Sequence, residues 1–209
     1  MKKRIAVLVS GGGTNLQALI DAQLRSELGG GEIVAVISSK AGAYALERGA
    51  KVGIPGYVLP RKEFASNRAM TVALVELLKE LRIDLVVLAG CMVIFTEELV
   101  AAYPNAIMNV HPALIPSFCG PGYYGLHVHE KALEYGVKLS GATVHFVSEE
   151  CDGGPIILQK AVDVLPDDTP EVLQRRIMEQ CEWKIMPQAV SLFCQDKLQV
   201  EGRTVRILP

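Results

Sequence analysis

The sequence has few cysteines and no regular spacing between them. Its 209 residues include five cysteines, an odd number, and no two of them form a Cys-x-x-Cys pair. This pattern argues against a disulfide framework and against a cysteine zinc site. We therefore expect a reducing compartment, the cytoplasm, as the location of the protein.

A strong charge of either sign is also missing. The formal net charge is −2, and the only cluster of basic residues is Lys2-Lys3-Arg4 at the start. Proteins that bind nucleic acid usually carry a basic surface. Nucleic acid is therefore not an expected partner.

The sequence also lacks a long hydrophobic run after its basic start. The apolar stretch covers only residues 5–9, which is too short for a signal peptide and far too short to span a bilayer. We therefore expect no membrane partner. With 50% hydrophobic and 21% charged residues the composition is that of a globular protein. The length suits a single domain over residues 1–209.

What is present is an alternation of strand and helix patterns. Residues 5–9, 33–37 and 84–90 are apolar runs typical of strands that are buried on both faces. Residues 14–28, between the first and second runs, have helical spacing, and residues 43–50, between the second and third runs, form another helical segment. The alternation predicts an α/β fold with a doubly wound, mostly parallel open sheet. Such sheets bind ligands beyond the C-terminal ends of their strands.

The ends of several elements can also be predicted. Gly29-Gly30-Gly31 is expected to end the first helix. Residues 139–147 and 155–164 are strand-like with no helix between them, so the C-terminal strands are expected to make the sheet mixed. Thr169-Pro170 is a strong helix start, and the long C-terminal helix is predicted to run to Phe193 with a kink at Pro187.

Candidate catalytic residues lie where the strand that ends at Asn109 meets the next loop. Asn109 and His111 are two residues apart, so an extended chain sends both side chains to the same side. An amide can stabilise an oxyanion, and an imidazole can transfer protons near neutral pH. Asp152 is a candidate third member because a carboxylate favours a protonated imidazole. The structural alternative is that His111 merely ends a strand and Asp152 caps a turn.

A glycine loop, Ser10-Gly11-Gly12-Gly13-Thr14-Asn15, joins the first strand to the first helix. Glycines permit close backbone approach, the helix start presents free N–H groups, and Thr14 and Asn15 add side-chain donors. The loop therefore predicts an anion site, for example for a phosphate. It has neither the Gly-Lys-Ser/Thr of a P-loop nor a complete G-x-G-x-x-G pattern, and a loop that only turns tightly is the alternative.

A metal site built from His127, His129, His145 and Asp152 is a weaker hypothesis. His127 and His129 lie where a helix begins, and a helix spreads residues two apart by roughly 200° around its axis. His145 alternates with apolar strand residues, and we interpret it as a structural histidine. We therefore expect no bound metal.

Four segments carry a specific resemblance to a known family. They are Ser-Gly-Gly-Gly-Thr-Asn-Leu-Gln at 10–17, Asn-Val-His-Pro-Ala-Leu-Ile-Pro at 109–116, Gly-Ala-Thr-Val-His-Phe-Val at 141–147 and Asp-Gly-Gly-Pro-Ile-Ile-Leu-Gln at 152–159. Together, and in this order, they resemble the phosphoribosylglycinamide formyltransferases of purine synthesis. The resemblance covers essentially the whole chain. It implies a Rossmann-like formyltransferase fold with a nucleotide-binding half at 1–110 and a folate-binding and catalytic half at 111–209.

The resemblance also implies a reaction and its residues. The formyl donor would be 10-formyltetrahydrofolate and the acceptor the amine of glycinamide ribonucleotide. The implied catalytic residues are Asn109, His111 and Asp152, with Asp152 raising the pKa of a protonated His111. The implied ribonucleotide contacts are Gly13, Thr14 and Asn15 for the phosphate and Glu182 for the ribose. The implied folate contacts are Arg68, Met92, Val93, Ile94, Phe95 and Asn109.

The sequence departs from the family pattern at several positions. Val93 stands where Arg is frequent, Ala113 where Ser is usual, and Trp183 where His is common, and the loop 117–125 is longer than in some members. These departures concern the lining of the folate and acceptor sites more than the reaction.

Related enzymes and a non-enzyme remain as alternatives. A formyltetrahydrofolate deformylase is expected to carry an N-terminal regulatory domain, and a methionyl-tRNA formyltransferase a further C-terminal domain and a basic surface. A silent nucleotide-binding module would need the glycine loop alone. We expect small-molecule substrates and a monomer or homodimer.

Overall fold

The computed structural model describes residues 2–209. Its strands are β1 (Lys3–Val9), β2 (Gly31–Ser38), β3 (Gly56–Val58), β4 (Leu85–Leu88), β5 (Ile107–His111), β6 (Leu139–Phe146), β7 (Ile156–Asp163), β8 (Leu198–Glu201) and β9 (Thr204–Ile207). Its α-helices are α1 (Thr14–Leu24), α2 (Tyr44–Ala50), α3 (Asn67–Glu80), α4 (Glu97–Ala102), α5 (Leu126–Tyr135), α6 (Pro170–Ile177) and α7 (Trp183–Cys194).

All nine strands join one sheet in the order β3-β2-β1-β4-β5-β6-β7-β9-β8. The pairs among β1 to β5 are parallel, whereas β5–β6 and β6–β7 are antiparallel. The predicted mostly parallel open sheet with mixed C-terminal strands is therefore confirmed. The strand order changes direction between β1 and β4, and the crevice beyond such a point is where open α/β sheets bind ligands.

The sheet is covered on both faces, as the apolar strand patterns predicted. Along β1, Ile5, Val7 and Val9 belong to one buried hydrophobic cluster, whereas Ala6 and Leu8 belong to another. Successive strand residues point to opposite faces, so this alternation means that helices cover each side. No helix in residues 2–209 has the length and apolar content needed to cross a membrane.

The first helix ends earlier than the glycines predicted. α1 stops at Leu24, because Ser26 adopts a left-handed conformation with φ 61°. The N–H of Ser26 donates to Gln23 O over 2.9 Å and the N–H of Glu27 donates to Ala22 O over 2.8 Å. These two bonds form a Schellman motif, which satisfies the last helical carbonyls. The prediction that Gly29 to Gly31 ends the helix is thus wrong by several residues.

The C-terminal helix has its irregular turn upstream of the proline. α6 begins at Pro170, with the Thr169 side chain accepting from the Val172 N–H, as predicted. A π-helical segment, Met178–Glu182, then connects α6 to α7, and Pro187 lies inside α7. The departure from α-helical geometry therefore lies at the π segment. Such segments are often found at functional sites because they turn one side chain away from the α-helical register.

Candidate functional site

Strand pairing brings three candidate side chains to one place. β5 ends at His111, and Asn109 precedes it by two residues on the same strand. β6 runs antiparallel beside β5, with Asn109 opposite His145 and His111 opposite Thr143. Residues directly opposite each other on paired strands share a face of the sheet. His145 therefore lies next to Asn109, in the cluster that the sequence had assigned to Asn109, His111 and Asp152.

Four polar side chains form a continuous chain of contacts at this position. Asn109 Nδ2 is 3.3 Å from His145 Nε2. His145 Nε2 is 3.6 Å from Asp152 Oδ1, and Asp152 Oδ2 is 3.5 Å from His111 Nδ1. Although 43 positions separate Asn109 from Asp152 in the sequence (152 − 109), the fold connects them through His145. We call Asn109, His111, His145 and Asp152 the polar cluster.

The backbone carbonyls around the two histidines assign their protons. His111 Nε2 lies 2.8 Å from the carbonyl oxygen of Phe118, and His145 Nδ1 lies 2.9 Å from that of Phe146. A carbonyl only accepts, so both of these ring nitrogens donate. In the neutral state His145 Nε2 then accepts from the Asn109 amide, which fixes the orientation of that amide. Neutral His111 likewise turns its lone pair, at Nδ1, toward Asp152.

Burial and charge act in opposite directions on His111. Burial lowers the pKa of His111, and the negative charge of Asp152 raises it without overcoming the effect of burial. Asp152 thus raises the pKa of His111, as expected, but burial of the imidazole, which is only 4% exposed, makes the net shift downward. Burial also raises the pKa of Asp152, but the polar contact with His145, the charge of His111 and the hydrogen bond from the Gly120 N–H lower it overall.

The turn that carries Asp152 depends on its own residue types. Asp152 has φ 54°, a left-handed conformation that Asp tolerates better than most residues. Its Oδ2 accepts from the Gly120 N–H over 2.9 Å, which connects the turn to the loop after β5. A Cβ on Gly154 would lie 1.8 Å from the Phe146 carbonyl oxygen. Gly154 therefore lets the turn pass close to the end of β6.

The remaining histidines are separated by the helix, as their spacing predicted. α5 turns His127 to the surface, where its Nδ1 is 3.1 Å from Glu130. His129 is fully buried, and neither of its ring nitrogens has a hydrogen-bond partner within residues 2–209. Burial, followed by the nearby charge of His111, lowers the pKa of His129 to about 4. His129 is therefore neutral at physiological pH.

The glycine loop lies at the C-terminal end of β1 and meets the C-terminal helix. Asn15 is 7% exposed, and its Nδ2 donates to Glu182 Oε2 over 2.7 Å across 167 positions of sequence. Asn15 Oδ1 is buried and, within the described part of the chain, has no partner. Gly13 has φ 70°, and a Cβ there would lie 2.6 Å from Ala45 Cβ. The loop thus requires glycine at position 13 because α2 packs directly against it.

Glu182 reaches Asn15 from the last residue of the π segment. It is 7% exposed, and burial raises the pKa of its carboxyl, while the hydrogen bond from Asn15 acts in the opposite direction. The structure thus brings together two of the predicted ribonucleotide contacts from opposite ends of the sequence. Next to Glu182, the buried Trp183 Nε1 donates to no acceptor in residues 2–209.

The segment after β4 divides its side chains between two directions. Met92 and Ile94 are 58% and 79% exposed. Val93 and Phe95 instead line an apolar pocket between α3 and the ends of β1 and β2. Of the predicted folate contacts on this segment, only Met92 and Ile94 thus present most of their surface to solvent.

Arg68, a predicted folate contact, and Ala113, a departure from the family pattern, lie on either side of this segment in the sequence. The Arg68 side chain is 72% exposed and forms an ion pair with Glu98. Ala113, where the family usually has Ser, is buried, and its carbonyl oxygen accepts from Thr143 Oγ1 over 2.7 Å. This bond fixes the start of the loop that covers His111.

No metal site is formed by these groups. Among residues 2–209, no set of three or more His, Cys, Asp or Glu side chains is arranged to hold a metal ion. His127 and His129 point in different directions from α5, so these two side chains cannot bind the same ion.

Known proteins are similar to this chain over nearly its whole length. The family described as Formyl transferase matches residues 3–190. The phosphoribosylglycinamide formyltransferase of Haemophilus influenzae is 42% identical over 199 residues, which cover 95% of this chain and 91% of that protein. The glycinamide ribonucleotide transformylase 1 of Symbiobacterium toebii has a structure with TM-score 0.93 and 45% identity, covering 100% of this chain and 95% of that one.

Some relatives are much longer. The trifunctional purine biosynthetic protein adenosine-3 of Drosophila melanogaster is 44% identical over 193 residues, covering 92% of this chain, which spans only 14% of that protein. A formyltetrahydrofolate deformylase from Pseudomonas syringae has a TM-score of 0.87 but 28% identity, covering 100% of this chain and 67% of that one. The two transferases above are thus nearer in sequence and in length than the deformylase.

Proposed function

The chain belongs to the formyl transferase family and is a formyltransferase. We propose that it transfers a formyl group from 10-formyltetrahydrofolate to the amine of 5-phosphoribosylglycinamide in purine biosynthesis. The observation that carries this proposal is the polar cluster at the end of β5. In this cluster an oriented amide, two imidazoles and a carboxylate are linked by successive contacts of 3.3 Å, 3.6 Å and 3.5 Å.

The cluster suits attack of an amine on a formyl carbon. The new bond forms between the amine nitrogen and the formyl carbon, and the formyl oxygen becomes an oxyanion. Asn109, with His145 fixing its amide, and His111 donate hydrogen bonds to that oxygen. In the free protein the Phe118 carbonyl occupies His111 Nε2. The substrate oxygen takes the place of this carbonyl during the reaction.

Proton movement then completes the transfer. The bond between the formyl carbon and the folate nitrogen breaks, so that nitrogen gains one proton and the amine loses one. His111, as an imidazolium, donates its proton to the leaving nitrogen and is restored by the proton from the amine. Burial disfavours this charged form, and Asp152 offsets the cost because its carboxylate is 3.5 Å from Nδ1. No covalent enzyme intermediate is required.

The two substrates are assigned to neighbouring parts of the sheet edge. We assign the ribonucleotide phosphate to Gly13, Thr14 and Asn15, and the ribose to Glu182, whose carboxylate already meets Asn15. We assign the folate to the segment Met92, Val93, Ile94 and Phe95 together with Asn109, with Arg68 near the glutamate end. Met92 and Ile94 have the exposure that direct contact needs.

We propose one domain over residues 1–209 that works as two halves. The half 1–110 binds the nucleotide, and the half 111–209 binds folate and carries the polar cluster. Glu182 and the segment after β4 each contribute to the site of the other half. We propose only small-molecule substrates, with no metal, nucleic acid or membrane partner, for a cytoplasmic monomer or homodimer.

The proposal is tested by assaying formyl transfer from 10-formyltetrahydrofolate with and without glycinamide ribonucleotide. We expect a formylated ribonucleotide as the product and no release of formate when the acceptor is omitted. His111→Ala should lower kcat by about two to four orders of magnitude, the usual contribution of a general acid or base. Release of formate from the folate at the same rate without acceptor would instead establish a deformylase. Dialysis against EDTA should leave the rate unchanged.

A further inference from the structure

Helix α2 holds the carbonyl groups of the glycine loop. The Ala45 N–H donates to Gly11 O over 3.2 Å, and Arg48 Nε donates to Gly12 O over 2.8 Å. At the start of α1, the Gln17 N–H donates to Gly13 O over 2.9 Å. Three successive carbonyls of the loop are therefore occupied by donors of the protein.

This arrangement determines where the amide hydrogens of the loop point. In a trans peptide unit the C=O and the following N–H point in opposite directions. The N–H groups of Gly12, Gly13 and Thr14 are therefore turned away from the donors that hold the carbonyls. Within residues 2–209 these three N–H groups donate to no protein acceptor. Three unpaired amides in succession form a site suited to an anion.

Arg48 is the charged member of this arrangement. Its Nη1 also donates to Gln17 Oε1 over 2.8 Å, so the guanidinium connects α2, the loop and α1. Its Cδ would contact a Cβ at Gly13, which shows that the side chain lies directly against the loop. Within the described chain no carboxylate forms a salt bridge with Arg48, so its positive charge is not neutralised beside the loop. Asn15 Oδ1 is buried, has no partner in residues 2–209 and can only accept a hydrogen bond, so it independently indicates a ligand hydroxyl, such as one of the ribose, beside the anion.

We propose that Arg48 is a positioning residue for the phosphate of the acceptor, and that it makes the enzyme select a phosphorylated over a phosphate-free acceptor. This inference rests on the proposed function. Arg48 holds the Gly12 carbonyl on the α2 side, and this keeps the Gly13 N–H directed toward the phosphate. Its positive charge also lies beside the loop, which favours a bound anion. Arg48 acts through the backbone and does not touch the reacting atoms.

The test compares two acceptors across a small set of variants. Glycinamide ribonucleotide and the same molecule without its phosphate are assayed with the wild type, Arg48→Met, Arg48→Lys and Lys51→Met. Lys51 is the matched control, because it is a cation that contacts the Tyr44 ring, as Arg48 does, but no atom of the glycine loop.

We expect Arg48→Met to raise KM for the ribonucleotide about tenfold, or about 1.4 kcal/mol, with kcat within about twofold of wild type. The kcat/KM for the phosphate-free acceptor should stay unchanged. Arg48→Lys should lie between wild type and Arg48→Met, because lysine keeps the charge but cannot donate to two groups in the fixed geometry of a guanidinium. Lys51→Met should behave as wild type.

Equal losses with both acceptors, or no loss with either, would overturn the proposal. Should Arg48→Met fail to fold, Arg48→Lys and Arg48→Gln provide the same comparison. Binding of inorganic phosphate, measured by calorimetry, should weaken in the Arg48 variants and not in Lys51→Met. This measurement does not need the reaction, so it separates failure of the Arg48 role from failure of the proposed function. Unchanged phosphate binding in all Arg48 variants would also overturn the proposal.

Discussion

Replacing Asp152 with Asn tests how the carboxylate assists His111. The change removes a charge and keeps the shape of the side chain. Asn also tolerates the left-handed backbone of this position, where φ is 54°. Its amide oxygen can still accept from the Gly120 N–H that now bonds to Asp152. The fold should therefore be retained, and any change in rate should report the charge alone.

The size of the effect follows from the distance between the two groups. Asp152 Oδ2 lies 3.5 Å from His111 Nδ1, and both side chains are at most 10% exposed. At an effective dielectric constant of about 20, this separation gives an attraction of about 5 kcal/mol between carboxylate and imidazolium. If the transition state needs the imidazolium, its loss lowers kcat by about three orders of magnitude. The KM values for both substrates should change little.

The pH dependence provides a second readout whose sign is fixed. The charge of Asp152 raises the pKa of His111 against the effect of burial. Removing that charge must lower the pKa further, so the protonated form is lost at lower pH. The limb of the pH profile of kcat/KM that reports His111 should therefore move to lower pH in Asp152→Asn.

The assay measures formyl transfer to glycinamide ribonucleotide over a range of pH. Asp167→Asn serves as a matched control, because Asp167 is exposed and distant in sequence from the polar cluster. It should keep the wild-type rate and pH profile. A thermal unfolding curve of each variant checks that the fold is intact. A rate for Asp152→Asn within about tenfold of wild type, or an unmoved limb in the pH profile, would refute the charge argument.

Three further predictions concern stability as well as activity. Gly13→Ala should lower the free energy of unfolding by about 1–3 kcal/mol and weaken ribonucleotide binding, because its Cβ would lie 2.6 Å from Ala45 Cβ. Gly11→Ala is the control and should not lower the free energy of unfolding, because a Cβ there meets open space. Equal melting temperatures of the two variants would contradict the prediction. Glu182→Gln should raise the melting temperature at neutral pH, because burial raises the pKa of Glu182 and its ionised form therefore costs stability above the ordinary carboxyl pKa. The same change should raise KM for the ribonucleotide. A lower melting temperature would count against the prediction. Asp168→Asn should destabilise the protein by about 1–3 kcal/mol near neutral pH, because it removes the bidentate bond with Arg176 that lowers the pKa of Asp168. This stabilisation is present above the ordinary carboxyl pKa and is lost as pH falls through the lowered value. Unfolding by denaturant in strong acid should therefore show no difference between the variant and the wild type.

Sequence reasoning was most successful where a local pattern has a local cause. The apolar runs predicted the buried strands β1, β2 and β4, and Thr169-Pro170 predicted the start of α6. It failed where an end or a bend depends on hydrogen bonds between particular backbone groups. Ser26 ends α1 through a Schellman motif that any of several residues could have formed. The π segment before Pro187 likewise has no distinct pattern in the sequence.

The candidate site shows the same division. Asn109, His111 and Asp152 stand out in the sequence by residue type and position, but His145 does not. Its place in the polar cluster depends on the register that puts it opposite Asn109. The family segment at 141–147 contains His145, but only the pairing shows that it contacts Asn109, because its neighbours in sequence are ordinary apolar strand residues.

The sequence by itself determined the class of fold, the family and the residue types available for the reaction, since these follow from periodicity and from motifs within short segments. Only the tertiary structure decided how those groups are poised. It buried His111 enough to lower its pKa despite Asp152, joined Asn15 to Glu182 across 167 positions, and placed Arg48 against the glycine loop. The physical reason is that desolvation and electrostatic interaction depend on distances in space, and those distances arise from strand register and helix packing.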